Sequence, residues 1–191
     1  MTIKYDIILL DPPWSYLDNS GNHTSGAADN YELMTNEDIY ALPVNDTLAT
    51  GGVVFVWATS PKLHVALEAI EAWGLNYRGI AHTWIKTTKD GRLLNGTGVR
   101  ATYSKPQTEL LLFSTRFRKG RVLPKMFAWE GLPQQVMAAR EGHSVKPAIF
   151  QELIERQYPS ASKLELFARR HREGWTCRGL ELTGEDFRAG L

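Results

Sequence analysis

The 191-residue sequence lacks the features that mark several large protein classes. Its one cysteine, Cys177, excludes internal disulfides and any multi-cysteine metal site. No apolar run approaches the roughly 18 residues needed to cross a bilayer. The first apolar run is bracketed by Asp6 and Asp11, so no signal peptide is predicted. No G-x-G-x-x-G follows a predicted strand, which leaves a dinucleotide site without support. These absences predict a cytoplasmic globular protein.

Charge of one sign is not in excess either, since 22 lysines and arginines accompany 21 aspartates and glutamates, for a net charge of +1. The basic residues do cluster in two stretches, RFRKGRVLPK at 116–125 and RRHR at 169–172. Solvated loops are the common explanation of such clusters, so they indicate no function by themselves.

Apolar strand-like runs alternate with helical patterns along the chain. Strands are predicted at residues 5–10, 51–59, 77–87, 108–115 and 163–170, and helices at 36–42, 60–74 and 146–159. This order predicts an α/β fold, a single domain over 1–191 with a mostly parallel sheet and helices on both faces. Segments 15–34, 88–107 and 116–142 lack a regular pattern, and loops of that length are often functional lids or disordered pieces.

The first predicted strand stops at DPPW, Asp11 to Trp14. Ligands bind beyond the carboxyl ends of strands in open α/β sheets. Pro12 and Pro13 stiffen the turn and remove two backbone donors, so its carbonyls remain free to accept. A carboxylate, a free carbonyl and an indole ring together form a receptor for the exocyclic amine of a nucleobase. Alternatively, Asp11 caps a turn and Trp14 packs in the core, and DPPW alone does not decide between the two.

The motif DPPW after an apolar strand resembles the catalytic motif of adenine amino-methyltransferases. With HSVKP (143–147), IERQYP (154–159), KLELFARRHREGW (163–175) and RGLE (178–181), the sequence resembles the MT-A70 family over residues 5 to 182. The resemblance implies a Rossmann-like class I methyltransferase domain. It also implies circular permutation, because the catalytic strand comes first and the cofactor strand last.

The resemblance also implies S-adenosylmethionine as cofactor, with no metal. Its cofactor-binding residues would be Asp11, Lys146, Glu165, Phe167, Arg169, His171 and Glu181. A lysine just before a helix suits the methionine carboxylate, which a helix start also attracts, and Glu165 suits the ribose hydroxyls. Many family members carry Gly-Asn where this sequence has Gly179-Leu180, so Glu181 is expected to replace the asparagine contact.

The implied reaction is methyl transfer to the N6 amine of adenine in nucleic acid. Asp11, Pro12, Pro13 and Trp14 would be catalytic, with Asp11 and the Pro12 carbonyl accepting the amine hydrogens and Trp14 stacking on the base. The substrate-binding residues would be Tyr16, at the base, and Arg100, Lys105, Arg116, Arg118, Lys119 and Arg121, at the phosphates.

The small build favours DNA over RNA and a bacterial or phage origin. Relatives often pair, so a dimer is allowed. Two alternatives stay open: a catalytically silent nucleic-acid-binding partner subunit, and an amino-methyltransferase for cytosine N4 or protein glutamine.

Overall fold

A computed structural model describes residues 3–14, 34–94, 104–118, 131–142 and 145–183. The strands are β1 Tyr5–Leu10, β2 Leu48–Thr59, β3 Asn76–Thr87, β4 Thr108–Thr115, β5 Gln135–Ala139, β6 Lys163–Leu166 and β7 Thr176–Arg178. The helices are α1 Asn36–Tyr40, α2 Val44–Thr47, α3 Leu63–Ala72, α4 Ile149–Gln157 and α5 Leu180–Thr183, and a 3₁₀ turn at Ser60–Lys62 precedes α3. None of the helices in these ranges is long and apolar enough to cross a membrane.

The seven described strands form one sheet in the order β5-β3-β4-β2-β1-β6-β7. Strand β4 runs antiparallel to both of its neighbours, β2 and β3, and the other described pairs are parallel. The predicted mostly parallel α/β sheet is therefore confirmed, and its architecture is Rossmann-like. Circular permutation stays a prediction.

Strand β1 is buried on both faces because it lies inside the sheet and helices cover both sides. Ile8 and Leu10 point into a core that includes Val65 and Ala66 of α3. Residues Ile7 and Leu9 alternate to the other face, where they join the core that contains α4. Because side chains on both faces of the strand are buried, its sequence is a continuous apolar run.

Three of the differences from the sequence predictions have identifiable reasons. Strand β6 stops at Leu166, short of the predicted residue 170, because Phe167 has a φ of 64°, which a strand does not accommodate. Strand β5 lies inside a segment predicted to be irregular. Only Val136 of its five residues is buried, so the sequence there has no apolar run that would indicate a strand. Helix α4 begins only at Ile149, so Lys146 precedes it by three residues.

Strand polarity brings distant segments to one edge of the sheet. Leu10, the last residue of β1, pairs with Val56 of β2 and Leu166 of β6. Glu109, near the start of the antiparallel β4, pairs with Thr59 at the end of β2. The residues that follow β1 and β6 therefore lie at the same edge as the beginning of β4.

Candidate active site

Asp11 follows β1 directly at this carboxyl edge. Pro12 is buried, and its carbonyl accepts a hydrogen bond from the Trp14 backbone N–H at 2.8 Å, which closes a three-residue turn. The Trp14 indole is 5% exposed and donates to the carbonyl of Trp57 at 3.0 Å. The turn is thus fixed at both ends, and the Asp11 side chain is directed to the cleft beside β6.

Lys146 binds the Asp11 carboxylate from the segment before α4. Its Nζ lies 2.8 Å from Oδ1 and 2.7 Å from Oδ2 of Asp11. The same ammonium lies 3.2 Å from Oε2 of Glu109, and Lys86 lies 2.6 Å from Oε1 of Glu109. These four side chains form an alternating chain of charges, Lys86–Glu109–Lys146–Asp11, which we call the ion network.

Burial and mutual charge determine the protonation of the ion network. Burial raises the pKa of the Asp11 carboxyl, against the opposing effect of the Lys146 ammonium. Burial acts in the same direction on Glu109, but Lys146 and Lys86 outweigh it and hold its pKa below the usual value. Burial disfavours the charged form of Lys146, yet Asp11 and Glu109 raise its pKa overall. The proton therefore stays on Lys146, and Glu109 is its firmly ionised partner.

Glu165 of β6 lines the cleft next to Asp11. Its Oε2 accepts a hydrogen bond from Gln151 Nε2 at 2.7 Å, and Cys177 Sγ lies 4.0 Å from the same oxygen. Burial first, and then the charge of Asp11, raise the pKa of Glu165 to about 7. Glu165 therefore titrates near neutral pH.

Phe167 marks the end of β6 with a left-handed backbone. A positive φ of 64° is uncommon for a bulky residue, and such strain concentrates at functional sites. The turn it makes brings the Phe167 ring to the cleft wall and directs the chain toward Arg169. The cleft is lined by Leu9, Asp11, Trp57, Val145, Lys146, Pro147, Phe150, Gln151, Glu165, Phe167, Arg169 and Arg170.

The cleft lining suits the cofactor that the resemblance implies. S-Adenosylmethionine combines a cationic sulfonium and amine with a carboxylate, a ribose diol and an adenine ring. Among the lining residues, Asp11 and Glu165 are acceptors, Lys146 and Arg169 are cations, and Phe167 offers a ring. The predicted cofactor residues from Asp11 to Arg169 are thus brought together.

The structure corrects two expectations for the DPPW turn. The Pro12 carbonyl is only partly free, because Trp14 N–H occupies one of its two lone pairs. The Trp14 ring packs among core residues such as Ile39 and Val56, as the structural alternative expected, and presents little surface for stacking on a base. Lys146 is likewise bound by Asp11 and Glu109 before any ligand carboxylate arrives.

Two residues predicted to contact phosphates, Arg116 and Arg118, lie at the edge of the sheet opposite to Asp11. Because β4 is antiparallel, its end is far from Asp11: Arg116 is seven residues beyond Glu109, about 23 Å along the strand. The Arg116 side chain is also bound inside the protein, to Oδ1 of Asn45 at 2.5 Å and to the carbonyl of Leu48 at 2.8 Å. Arg118 donates to Asn76 at the same distant edge. The structure therefore does not bring Arg116 and Arg118 to the cleft, and their contact with phosphates stays a prediction.

The remaining predicted residues divide into two groups. Lys105 and His171 are exposed, outside the cleft lining. Tyr16, Arg100, Lys119, Arg121 and the Glu181 side chain lie outside the described residues. Across the ranges that the structure describes, no group of three or more His, Cys, Asp or Glu side chains could hold a metal ion.

Three site residues escaped the sequence reasoning: Lys86, Glu109 and Gln151. Glu109 stands in the apolar run TELLLFST, and an acidic residue beside three leucines was a usable signal in the sequence. In the structure, Glu109 is 9% exposed. Lys86 lies near the end of β3, and nothing in the sequence around it indicated a role in the site. Gln151 occupies a position on the buried side of α4, where a polar residue needs a partner.

Comparisons with known proteins agree with this geometry. The MT-A70 family model matches residues 5–181. The chain is 29% identical to the Type II methyltransferase M.MunI of Mycoplasma sp., with 94% of this chain and 78% of that protein covered. It is 30% identical to an N(6)-adenosine-methyltransferase MT-A70-like protein of Arabidopsis thaliana, with 94% and 24% covered. It is 25% identical to the human N(6)-adenine-specific methyltransferase METTL4, with 93% and 37% covered. The chain thus spans only about a quarter of the Arabidopsis protein and somewhat more than a third of the human one. Because the family model matches residues 5–181, nearly the whole chain and both walls of the cleft, the chain belongs to the MT-A70 family of methyltransferases.

Proposed function

We propose that the protein transfers a methyl group from S-adenosylmethionine to the N6 amine of adenine in nucleic acid, with DNA favoured over RNA. The observation that carries this proposal is the meeting of Asp11, at the end of β1, with Glu165 and Phe167, at the end of β6, in one cleft. An acceptor for an amine thus faces a set of side chains suited to the methyl donor.

The cofactor supplies an electrophilic methyl group on a sulfonium, so the protein needs no metal to activate it. Arg169 would hold its carboxylate end, with the positive charge of Lys146 nearby, and Glu165 would accept from its ribose hydroxyls. Phe167 would pack against its ring. His171 is proposed at the outer rim because its side chain is exposed.

Asp11 would act on the target amine by position and charge. Each of its oxygens bonds one Lys146 hydrogen and keeps a further lone pair, so the carboxylate can accept an N6 hydrogen while Lys146 fixes its orientation. The second lone pair of the Pro12 carbonyl can accept the other hydrogen. With both hydrogens held, the nitrogen lone pair points at the methyl group, which is catalysis by orientation and electrostatics.

The target base must leave its stack, or arrive in a single strand, to reach Asp11. Because Trp14 packs in the core, we assign stacking on the base to Tyr16 rather than to Trp14. Stacking of this kind contributes about 1–3 kcal/mol per base.

The choice of DNA over RNA rests on how much of each relative is matched. The N(6)-adenosine-methyltransferase of Arabidopsis, named for a ribonucleoside, is covered over 24% of its length, whereas the Type II methyltransferase is covered over 78%. The match therefore extends over most of the Type II methyltransferase and over a small part of the adenosine enzyme, which supports the former as the guide to the substrate.

The test is incubation with labelled S-adenosylmethionine and separate DNA and RNA pools, followed by nucleoside analysis. We expect N6-methyladenine from DNA, and loss of the label with Asp11→Ala. Label on cytosine N4 or on protein, or equal rates for wild type and Asp11→Ala, would overturn the proposal. A silent partner subunit would bind nucleic acid without binding the cofactor.

A further inference from the structure

We propose that Gln151 is a positioning residue for the cofactor, which acts by holding Oε2 of Glu165 so that Oε1 is presented to the ribose hydroxyls. This proposal rests on the proposed function, because it assumes that the cleft binds S-adenosylmethionine. It concerns a residue on α4 that neither the resemblance nor the family match assigns.

The contact between the two side chains is short and buried. Gln151 Nε2 donates to Oε2 of Glu165 at 2.7 Å, and Gln151 is 6% exposed. Cys177 on β7 approaches the same oxygen at 4.0 Å. Both neighbours therefore contact Oε2, Gln151 from α4 and Cys177 from β7, and the Gln151 hydrogen bond restrains the orientation of the carboxylate.

Packing alone does not require a glutamine at this position. Helix α4 is held against the sheet by Phe150, Leu153 and Ile154, which are each at most 3% exposed. A buried amide among such residues is unfavourable unless it is hydrogen-bonded. An apolar residue would pack there at lower cost, so the glutamine is explained by its partner, Glu165.

The charges around Glu165 explain why a neutral donor matters. Asp11 disfavours the ionised carboxyl, Arg170 and Arg172 favour it, and burial outweighs them, so that the pKa is about 7. Lys146 and Arg169 line the same cleft. A hydrogen bond from Gln151 stabilises the ionised form, which is the form that accepts from a diol. Without Gln151, the carboxyl would take up a proton at a higher pH and rotate more freely.

The experiment compares Gln151→Leu with Gln157→Leu, which makes the same change at the half-buried end of α4. Carbon-13 NMR of the full chain follows the Glu165 carboxyl titration without ligand, and calorimetry gives the Kd of S-adenosylmethionine from pH 6 to pH 8. In Gln151→Leu we expect Glu165 to titrate at a higher pH and the Kd at pH 7 to rise roughly three- to tenfold, as for loss of one hydrogen bond. In turnover, the rise in KM for the cofactor should exceed the fall in kcat.

A second variant, Gln151→Lys, puts a cation in the same place and should move the titration to lower pH. Unchanged titration in both variants overturns the proposal, and so does a shifted titration with unchanged cofactor affinity. Effects as large in Gln157→Leu would assign them to the helix rather than to the contact. A wild-type protein that fails to bind the cofactor, while the titration still shifts, contradicts the proposed function and leaves the Gln151–Glu165 contact intact, so the two failures are distinguishable.

Discussion

Lys146 Nζ lies within 2.8 Å of both carboxylate oxygens of Asp11, across 135 positions of sequence. This bidentate contact connects the segment before α4 to the end of β1 and fixes the orientation of the Asp11 carboxylate. Because Glu109 lies 3.2 Å from the same ammonium, Lys146 retains an anionic partner when Asp11 engages an amine. The ion network thus keeps Asp11 oriented without committing all of its lone pairs.

Replacing Asp11 by asparagine should abolish most methyl transfer while the fold remains. The side chain keeps its shape but loses the charge that stabilises the amine as it becomes cationic. We expect the single-turnover rate of methylation to fall about 100- to 1,000-fold, the usual cost of removing one electrostatic contact to a transition state. The matched control is Asp46→Asn on the exposed side of α2, which should methylate at the wild-type rate. An Asp11→Asn protein as fast as its control would contradict the assigned role.

Removing Lys146 should destabilise the fold because it leaves the buried carboxylate of Glu109 and the largely buried one of Asp11 without the cation between them. Lys146→Met retains the length of the side chain and removes the cation between Asp11 and Glu109. Breaking a buried ion pair on one side costs about 3–5 kcal/mol, which urea unfolding would measure. The double variant Lys146→Met with Asp11→Asn should recover part of that free energy of unfolding. No recovery would mean that the loss does not come from Asp11.

The pKa of Glu165 predicts a pH dependence of stability. Its carboxyl titrates at about 7 when folded and near its usual 4.5 when unfolded, so the folded state binds the extra proton between these values. The free energy of unfolding contributed by this group should therefore fall as pH rises from about 4.5 to 7 and then level off. Glu165→Gln removes the effect, so its stability relative to wild type should increase between pH 5 and pH 8. A constant difference across that range, by thermal unfolding, would contradict the raised pKa.

The sequence was sufficient to predict the central strands β1 and β2 because most of their residues are buried, on both faces of the sheet. The apolar residues from Tyr5 to Leu10, and those of the helix with Val65 and Ile70, follow regular patterns that reflect burial. Such a pattern can be recognised within a short stretch of sequence. DPPW and KLELF could be located at strand ends by the same reasoning. The two strands that the sequence did not predict, β5 and β7, lie at the edges of the sheet and have few buried residues.

The ion network could not be predicted because it depends on strand polarity. Glu109 reaches Lys146 only because β4 runs antiparallel and starts where β2 ends. The same antiparallel direction carries Arg116 to the opposite edge of the sheet, away from Asp11. Nothing local in TELLLFST distinguishes a parallel strand from an antiparallel one, so neither the partner of Glu109 nor the position of Arg116 could be predicted from it.

Gly179 should tolerate no side chain, since the backbone of Ala168 lies directly against it. A Cβ at Gly179 would stand 2.1 Å from the Ala168 carbonyl oxygen and 2.8 Å from its nitrogen, and backbone atoms cannot move aside as a flexible side chain can. The Ala168 N–H also donates to the Arg178 carbonyl at 2.9 Å, next to Phe167. Gly179→Ala should therefore lower the free energy of unfolding by at least about 1–3 kcal/mol, as overpacking does, and should weaken cofactor binding by moving Phe167.

The matched control for this change is Gly142→Ala, whose Cβ would meet a Val145 methyl at 3.5 Å, an ordinary contact. Urea unfolding and cofactor calorimetry on both variants separate the two sites. We expect Gly142→Ala to stay within 0.5 kcal/mol or so of wild type, as surface substitutions usually do. Gly179 follows β7 and Ala168 lies just after β6. A Gly179→Ala protein as stable as wild type would mean that these two segments can move apart at little cost in free energy, in spite of their close contact. The cleft wall at Phe167 would then not depend on that contact.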